Sequence, residues 1–163
     1  VKEIYNAAWE KNWGFVPMSD AEITWLAKEL KPLVQKDLLR FALYDGEPVA
    51  FLLTAPDWNP VLADLDGSPW RHPLRTLHHV LRTKPESLEG LRLITLGVKE
   101  EHRKRGIEGV LLGEGLEQAL EIGYSWCEYS WILEDNELTK RAVRLMDGEL
   151  YKVYRVYEKP LSV

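Results

Sequence analysis

A short basic turn between Val98 and Ile107 carries the residues of this chain that are best suited to chemistry. Its sequence, Lys99-Glu-Glu-His-Arg-Lys-Arg-Gly106, places three consecutive cations directly before a glycine. Glycine lets the backbone bend close to a ligand without a Cβ in the way, and mobile cations can gather around an anion. If a helix begins after the glycine, its first N–H groups lack intrahelical partners and attract phosphate. The turn therefore predicts a site for a pyrophosphate.

The elements around the turn are the ones that such a site needs. Leu91–Val98 is an apolar run typical of a mostly buried strand, and Tyr124–Ile132 is a second strand-prone run. A strand, turn, helix and strand in this order imply a right-handed crossover, so the two strands should lie parallel. Between them, apolar residues recur near the helical period and predict a helix that ends near Gly123: Ile107, Val110, Leu111, Leu116 and Ala119.

Strand, turn and helix together resemble the acyl-CoA binding segment of the GNAT (Gcn5-related N-acetyltransferase) superfamily. In that pattern a strand ending in Val is followed by Arg or Gln, two residues, Gly, one residue, and Gly or Ala. Val98, Arg103 and Gly106 fit, whereas Glu108 stands where Gly or Ala is usual and Gly109 follows one place later. Lys99 joins Arg103, Lys104 and Arg105 among the candidate cations for the phosphates. The resemblance implies these acyl-CoA-binding residues: Leu96, Gly97, Val98, Arg103, Lys104, Arg105, Gly106, Ile107, Glu108, Gly109 and Asn136.

Asn136 opens a predicted helix that runs to Asp147-Gly148. GNAT proteins place an Asn at the start of the helix after the fifth strand, where its amide can contact the cofactor. The alternative, that Asp135 or Asn136 merely caps the helix, is compatible with that role. Many family members carry, seven residues later, a Tyr that protonates the leaving CoA thiolate, and here that position is Val143. The end of the chain also resembles an uncharacterised bacterial GNAT-like subgroup.

The candidates for acid–base catalysis are Glu128, Tyr154 and Tyr157. Strand alternation places Glu128 on one face, with Trp126, Ser130 and Ile132, and a carboxylate beside the cofactor suits a general base. The alternative is a solvated or hydrogen-bonded edge carboxylate. The run from 149 to 158 predicts a closing segment that is either one long strand or a bent pair. Its tyrosines, with Tyr151 included, either replace the missing acid or pack on the sheet. An acyl-enzyme through Cys127 is disfavoured, because no His is in evident reach.

The first half of the chain supplies the remaining elements. A helix is predicted from Lys2 to Trp13, and the capping-box pattern at Ser19 to Glu22 opens a second one. Two strands follow, Leu38–Tyr44 and Pro48–Thr54, with a hairpin turn between them. Three aromatic residues of the predicted helices either line an acceptor pocket or, more commonly for such a stripe, belong to the core: Trp9, Trp13 and Trp25. Short helical pieces are expected within 57–67 and 74–81.

Composition limits the function classes. A chain of 163 residues with 45% hydrophobic and 29% charged residues makes one domain, residues 1–163, and the net charge of −5 gives no reason to seek nucleic acid or a membrane. Three histidines, His72, His78 and His79, suggest a metal site, but the adjacent pair cannot face the same way on a helix and no Cys or carboxylate accompanies it at ligand spacing, so no metal site is predicted. A single cysteine and no targeting segment fit the cytoplasm. Because a GNAT domain usually opens on a strand and this chain opens on a helix, we expect the C-terminal part of a longer chain, with a companion N-terminal domain or a homodimer.

These observations predict an α/β (α+β) fold of GNAT type: a mixed, mostly antiparallel sheet with a central splayed parallel pair and helices on both faces. The function that the resemblance implies is transfer of an acyl group, with acetyl-CoA as the expected donor, to an unidentified amine. The amine would attack the thioester directly, and a strand N–H near Leu96 to Val98 would polarise its carbonyl. The alternative is a non-catalytic domain of the same fold that binds CoA or a partner chain.

Overall fold

The computed structural model describes residues 1–10, 15–31, 34–63, 73–74, 78, 82–84, 87–129 and 131–160. Five helices and four strands are present in these segments. In chain order they are α1 (Lys2–Trp9), α2 (Asp20–Leu30), β1 (Leu39–Tyr44), β2 (Glu47–Pro56), α3 (Asn59–Ala63), β3 (Gly90–Val98), α4 (Ile107–Ile122), β4 (Trp126–Tyr129) and α5 (Glu137–Leu145).

The four strands form one sheet in the order β1-β2-β3-β4. β1 and β2 are antiparallel and are joined by Asp45 and Gly46, both with positive φ, which a tight hairpin turn requires. β2 and β3 are also antiparallel, and β3 and β4 are parallel. The mixed sheet with one parallel pair is therefore confirmed.

Helices cover both faces of the sheet. On one face, Leu52 and Val98 pack with Leu111 and Leu112 of α4, and Ala142 of α5 joins the same buried cluster. On the other face, α1 packs against β2 and β3. Its Trp9 ring lies edge-on to Phe51, at 6.2 Å between centroids, and meets Gly97 so closely that a Cβ there would lie 2.8 Å from the ring. The predicted helix layers are confirmed.

The ends of the helices follow local sequence chemistry. The capping box before α2 is present: the Ser19 N–H donates to the Glu22 carboxylate at 2.8 Å, and the Glu22 N–H donates to the Ser19 hydroxyl at 3.3 Å. α4 ends at Gly123, whose φ of 108° makes it a left-handed C-cap. α1 ends at Trp9, and positions 11–13 of the predicted first helix lie outside the described residues.

Two predicted strands differ from the structure. Among the described residues, the run from 124 to 132 is a strand over Trp126–Tyr129, with position 130 outside the described segments, and the predicted closing strand from 149 to 158 is irregular. Leu150 and Val153 of that segment are exposed. No strand of the described chain lies beside it to complete a hydrogen-bonded ladder, which a strand requires whatever its side-chain pattern.

Candidate functional site

The parallel strands β3 and β4 separate partway along their length. They pair from Gly90 beside Trp126 to Leu93 beside Tyr129, and β3 then runs on to Val98 without β4 as a neighbour. Because β2 occupies the other edge of β3, the backbone groups that β3 points toward β4 over 94–98 face a gap. A ligand with amide groups can pair with such an edge.

A β-bulge lies where the strands separate. Leu53 of β2 pairs with Thr95 and Thr54 pairs with Leu93, so that Ile94 has no partner in the β2–β3 ladder. An extra residue of this kind bends its strand and re-aims the groups that follow it, and bulges are frequent beside active sites. The bulge coincides with the point at which the pairing of β3 with β4 stops.

The basic turn lies at the carboxyl end of β3 and leads into α4. Gly106 is the N-cap, with φ 79°, and no side chain caps the helix. Within the described segments, no backbone hydrogen bond has an N–H of residues 104–109 as donor. A Cβ at Gly106 or Gly109 would meet no atom within 4 Å, so the space before the helix is open. The turn therefore presents free donors and a helix dipole to an anion.

The four candidate cations around the turn differ in what they contact. Lys99 forms an ion pair with Glu3, and Arg105 lies over the Tyr44 ring, 5.3 Å from its centroid. The Arg103 side chain donates to two backbone carbonyls, of Val98 at 3.2 Å and of Ala8 at 2.6 Å, and so links β3 to α1. Lys104 is exposed, with φ 61°, and contacts no charged group of the described chain.

Glu128 is engaged with two neighbours on the α1 face of the sheet. Arg92, its partner across the parallel pair, donates to its carboxylate at 2.6 Å. The pKa of Glu128 is lowered, first by a hydrogen bond from Tyr151 and then by the Arg92 hydrogen bond and charge, against the opposing effect of burial. The same contact raises the pKa of Tyr151 to about 12. Glu128 is therefore an ionised, hydrogen-bonded carboxylate with reduced basicity.

The other acid–base candidates lie apart from this pair. Tyr154 and Tyr157 are largely exposed in the irregular C-terminal segment, and it is Tyr151 that contacts Glu128. The Cys127 thiol packs in the buried cluster with Leu91, and burial raises its pKa to about 12. A buried thiol that stays protonated is a poor nucleophile, which weighs against an acyl-enzyme.

Asn136 begins α5, as the sequence predicts. Its side-chain oxygen accepts from the Thr139 N–H at 3.2 Å, so the capping interpretation is confirmed. The contact leaves the amide N–H groups without a partner among the described residues, and Asn136 and Thr139 both line the cavity described next. Val143 lies about two helical turns further along α5, packed near Gly148.

A large cavity opens on the α1 face of the sheet and reaches the strand separation. It holds about 970 Å³. Leu93 to Leu96 and Tyr129 form its wall where β3 and β4 part, and Trp9 and Phe51 lie further in. The opposite wall is α2. The cavity is thus continuous from the gap between the strands to the first two helices.

Three features of this site were not predicted from sequence. They are Arg92 as the partner of Glu128, Tyr129 at the end of the parallel pairing, and the inner face of α2. The parallel register, once assumed, would have placed Arg92 opposite Glu128. Of the three aromatic residues considered for a pocket, Trp9 lines the cavity and Trp25 is exposed, while position 13 lies outside the described residues.

The described residues contain no group of three His, Cys, Asp or Glu side chains arranged to hold a metal ion, and His72 and His79 lie outside the described segments. No helix in these segments has both the length and the apolar character needed to cross a bilayer.

Comparison of sequences finds two curated relatives. Bacterial ceramide synthase of Caulobacter vibrioides is 34% identical over 163 residues, and Protein YghO of Escherichia coli is 33% identical over 166 residues. The matches include 98% and 99% of this chain but only 42% of each relative, so the chain spans about two fifths of their length. No family model matches the chain.

Comparison of structures finds acetyltransferases. A probable acetyltransferase matches with a TM-score of 0.61 at 17% identity, covering 99% of this chain and 89% of the other. The aminoglycoside acetyltransferase AAC(6')-Iy, solved with a CoA-containing bisubstrate analogue, matches at 0.55 and 16%, covering 98% and 92%. A GNAT family acetyltransferase from Brucella melitensis, solved with acetyl-CoA, matches at 0.52 and 14%, covering 85% and 72%. At these identities the likeness concerns the fold.

Proposed function

We propose, from the premise that this chain has the GNAT fold, that it is an acyl-CoA-dependent N-acyltransferase domain. The observation that carries the proposal is the junction of two vacant sets of backbone donors: the unpaired edge of β3 over 94–98 and the first turn of α4. Pantetheine, with two amides, suits the first set, and a pyrophosphate suits the second. The turn from Lys99 to Gly106 joins them.

In this proposal the thioester lies in the gap between β3 and β4. A β3 N–H beyond the Ile94 bulge polarises the thioester carbonyl, and the amine attacks from the cavity side. The buried, protonated thiol of Cys127 favours direct attack over an acyl-enzyme. The amine nitrogen bonds to the carbonyl carbon, the carbon–sulfur bond breaks, and CoA leaves as the thiolate, which takes a proton from water. The ionised Glu128 accepts the proton of the attacking amine, directly or through a water, and Arg92 holds it in place.

The phosphate contacts divide between backbone and side chains. The N–H groups of Gly106 to Gly109 hold the pyrophosphate, and Lys104 is the cation with most freedom to reach a phosphate. Arg103 is a positioning residue, because its guanidinium is occupied by the carbonyls of Val98 and Ala8. It fixes the turn relative to α1.

Two further points of the proposal come from the relatives. Ceramide is an amide of a long-chain amino alcohol, so the name of the Caulobacter relative denotes the same class of reaction, formation of an amide from an amine. Since the chain matches 42% of each curated relative, we also infer that the domain works beside companion segments or a second copy.

Calorimetric titration tests the phosphate site. Lys104→Ala should weaken CoA binding by about 2- to 5-fold at low salt, as expected for one exposed charge, and should leave the affinity for pantetheine unchanged. The matched control is Lys28→Ala, on the exposed side of α2, which should change the affinity for neither ligand. Equal weakening of CoA and pantetheine by Lys104→Ala would count against phosphate recognition at the turn.

Turnover separates an enzyme from a non-catalytic domain. Acyl-CoA is incubated with a panel of amines, and release of free CoA thiol is followed. Thiol release that depends on the amine supports acyl transfer. Tight binding of CoA without thiol release for any amine of the panel would instead favour a non-catalytic CoA-binding domain. Absence of CoA binding would exclude both the acyltransferase and the CoA-binding domain.

A further inference from the structure

Helix α2 is held by polar contacts rather than by burial of its apolar face. The Asn6 side chain exchanges two hydrogen bonds with the backbone of Met18, at 3.0 and 3.1 Å, just before the helix begins. Lys2 forms an ion pair with Asp20 at 2.6 Å. No residue of α2 is buried, although most amphipathic helices draw their stability from packing the apolar face.

The apolar face of α2 lines the cavity instead. Ile23, Leu26, Ala27 and Leu30 recur at helical spacing and all four face the space between α2 and the sheet. Across that space stand Tyr5 of α1 and side chains of the sheet. At about 970 Å³ the cavity lies at the upper end of the range for sites that enclose drug-sized ligands. An acetyl group would leave nearly all of it unfilled.

The charged side chains that line the cavity are all cationic. Among the described residues they are Lys31, Lys36 and Arg92, and no Asp or Glu lines it. The charge of Arg92 is balanced by Glu128 beside the cavity, which leaves the two lysines. A polycationic amine would therefore meet unbalanced like charge, because the Glu128 carboxylate beside the cavity is already paired with Arg92. Its walls suit an uncharged apolar group.

We propose that this cavity binds the hydrocarbon tail of a long-chain substrate, with the reacting end of that substrate at the separation of β3 and β4. The tail belongs either to the acyl group of the thioester or to the amine, and both present the same chemistry to α2. This inference rests on the proposed acyl transfer and names its substrate class.

Ala27 lines the cavity and is the smallest of the four α2 residues that do so, and we expect a larger side chain there to shorten the tail that fits. It is the small residue in a row of larger ones on the cavity side of α2, so a bulky side chain there intrudes on the path of the tail. Ala21 lies on the same helix and does not line the cavity. Ala27→Phe and Ala21→Phe therefore add the same side chain inside and outside the proposed site.

Chain-length profiles on the full chain test the proposal. Acetyl-CoA, decanoyl-CoA and palmitoyl-CoA are each paired with ethylamine and with dodecylamine below its micelle concentration. A long tail on at least one substrate should raise kcat/KM by about tenfold or more, and the arm in which it does so identifies the source of the tail. Ala27→Phe should abolish that gain while Ala21→Phe retains it. A flat profile in both arms, or equal effects of the two variants, overturns the proposal.

Binding measurements, which do not depend on turnover, test the cavity assignment separately from the proposed acyl transfer. Palmitoyl-CoA, acetyl-CoA and dodecylamine are titrated by calorimetry. If a long tail binds and Ala27→Phe weakens it about tenfold or more, the cavity assignment stands even when no acyl transfer occurs. If acetyl-CoA reacts with ethylamine but no long-tailed ligand gains affinity over its short counterpart, acyl transfer stands and the cavity assignment fails.

Discussion

Replacing Gly106 and Gly109 separately by alanine should change the stability of the chain in opposite directions. Gly106 caps α4 with φ 79° and ψ 6°, in the left-handed region, whereas Gly109 lies within the first turn of the helix. A Cβ at either position meets no atom within 4 Å. The two substitutions therefore add the same methyl group without a clash, and they differ only in backbone conformation.

The magnitudes follow from that difference. An L-residue in the left-handed region costs about 1–2 kcal/mol, so Gly106→Ala should lower the free energy of unfolding by about that amount. Alanine is favoured over glycine in a helix by up to about 1 kcal/mol, so Gly109→Ala should raise it by a fraction of that. For a chain of this size, each 1 kcal/mol moves the Tm by about 2–4 °C. The variants should thus differ by several degrees.

The assay is urea unfolding of both variants and the parent chain, with the slope m checked for constancy so that only stability is compared. CoA affinity is then measured on the same samples. Gly106→Ala should weaken CoA because relief of the strain moves the first N–H groups of α4. Gly109→Ala should weaken CoA although it stabilises the free protein, because its methyl group enters the space left for the pyrophosphate. Destabilisation by both variants, or an unchanged CoA affinity in both, would refute the reasoning.

Three further predictions concern the sheet. Gly97→Ala should cost about 1–3 kcal/mol in urea unfolding, because its Cβ would lie 2.8 Å from the Trp9 ring. The pKa of the Cys127 thiol is about 12 in the folded chain, above its unfolded value. Its contribution to the free energy of unfolding is therefore complete below about pH 8.5 and is lost as pH rises toward the folded pKa. Cys127→Val should make stability depend less steeply on pH in the alkaline range. The Glu128 carboxylate has a lowered pKa, so its contribution to the free energy of unfolding is present above about pH 4.5 and is lost as pH falls. Because the Tyr151 hydrogen bond is the main cause of the lowered pKa, Tyr151→Phe should move that loss to higher pH when stability is measured against pH in acid.

The parts of the fold that sequence predicted are those fixed by short-range chemistry. The reciprocal bonds of Ser19 and Glu22 are set within four residues, and the turn at Asp45 and Gly46 needs only two residues that tolerate positive φ. The crossover rule then made β3 and β4 parallel, which was confirmed. Each of these steps depends on a few neighbours or on a general rule of chain topology.

The strand predictions that failed depend on distant neighbours. The segment after Gly148 has the alternation and tyrosines of a strand, but in the described chain it has no partner, and Tyr151 is instead held by Glu128. β4 is a strand over Trp126–Tyr129, and β3 continues to Val98 without pairing to it. Strand propensity indicates how well a residue suits a pleated surface. It does not indicate whether a second strand lies alongside to form the hydrogen-bonded pair.

The bulge in β3 follows from the sequence, but it was not predicted from the sequence. Leu91 and Leu93 face α4, and so do Leu96 and Val98, so the buried set changes from odd to even numbers across Ile94. Strict alternation would place one of these pairs on the wrong face, and an extra residue is the only way to bury both. That extra residue lies where the pairing with β4 stops, beside the gap proposed for the thioester. The same change of register therefore buries the apolar side chains on both sides of Ile94 and lies where the edge of β3 becomes unpaired.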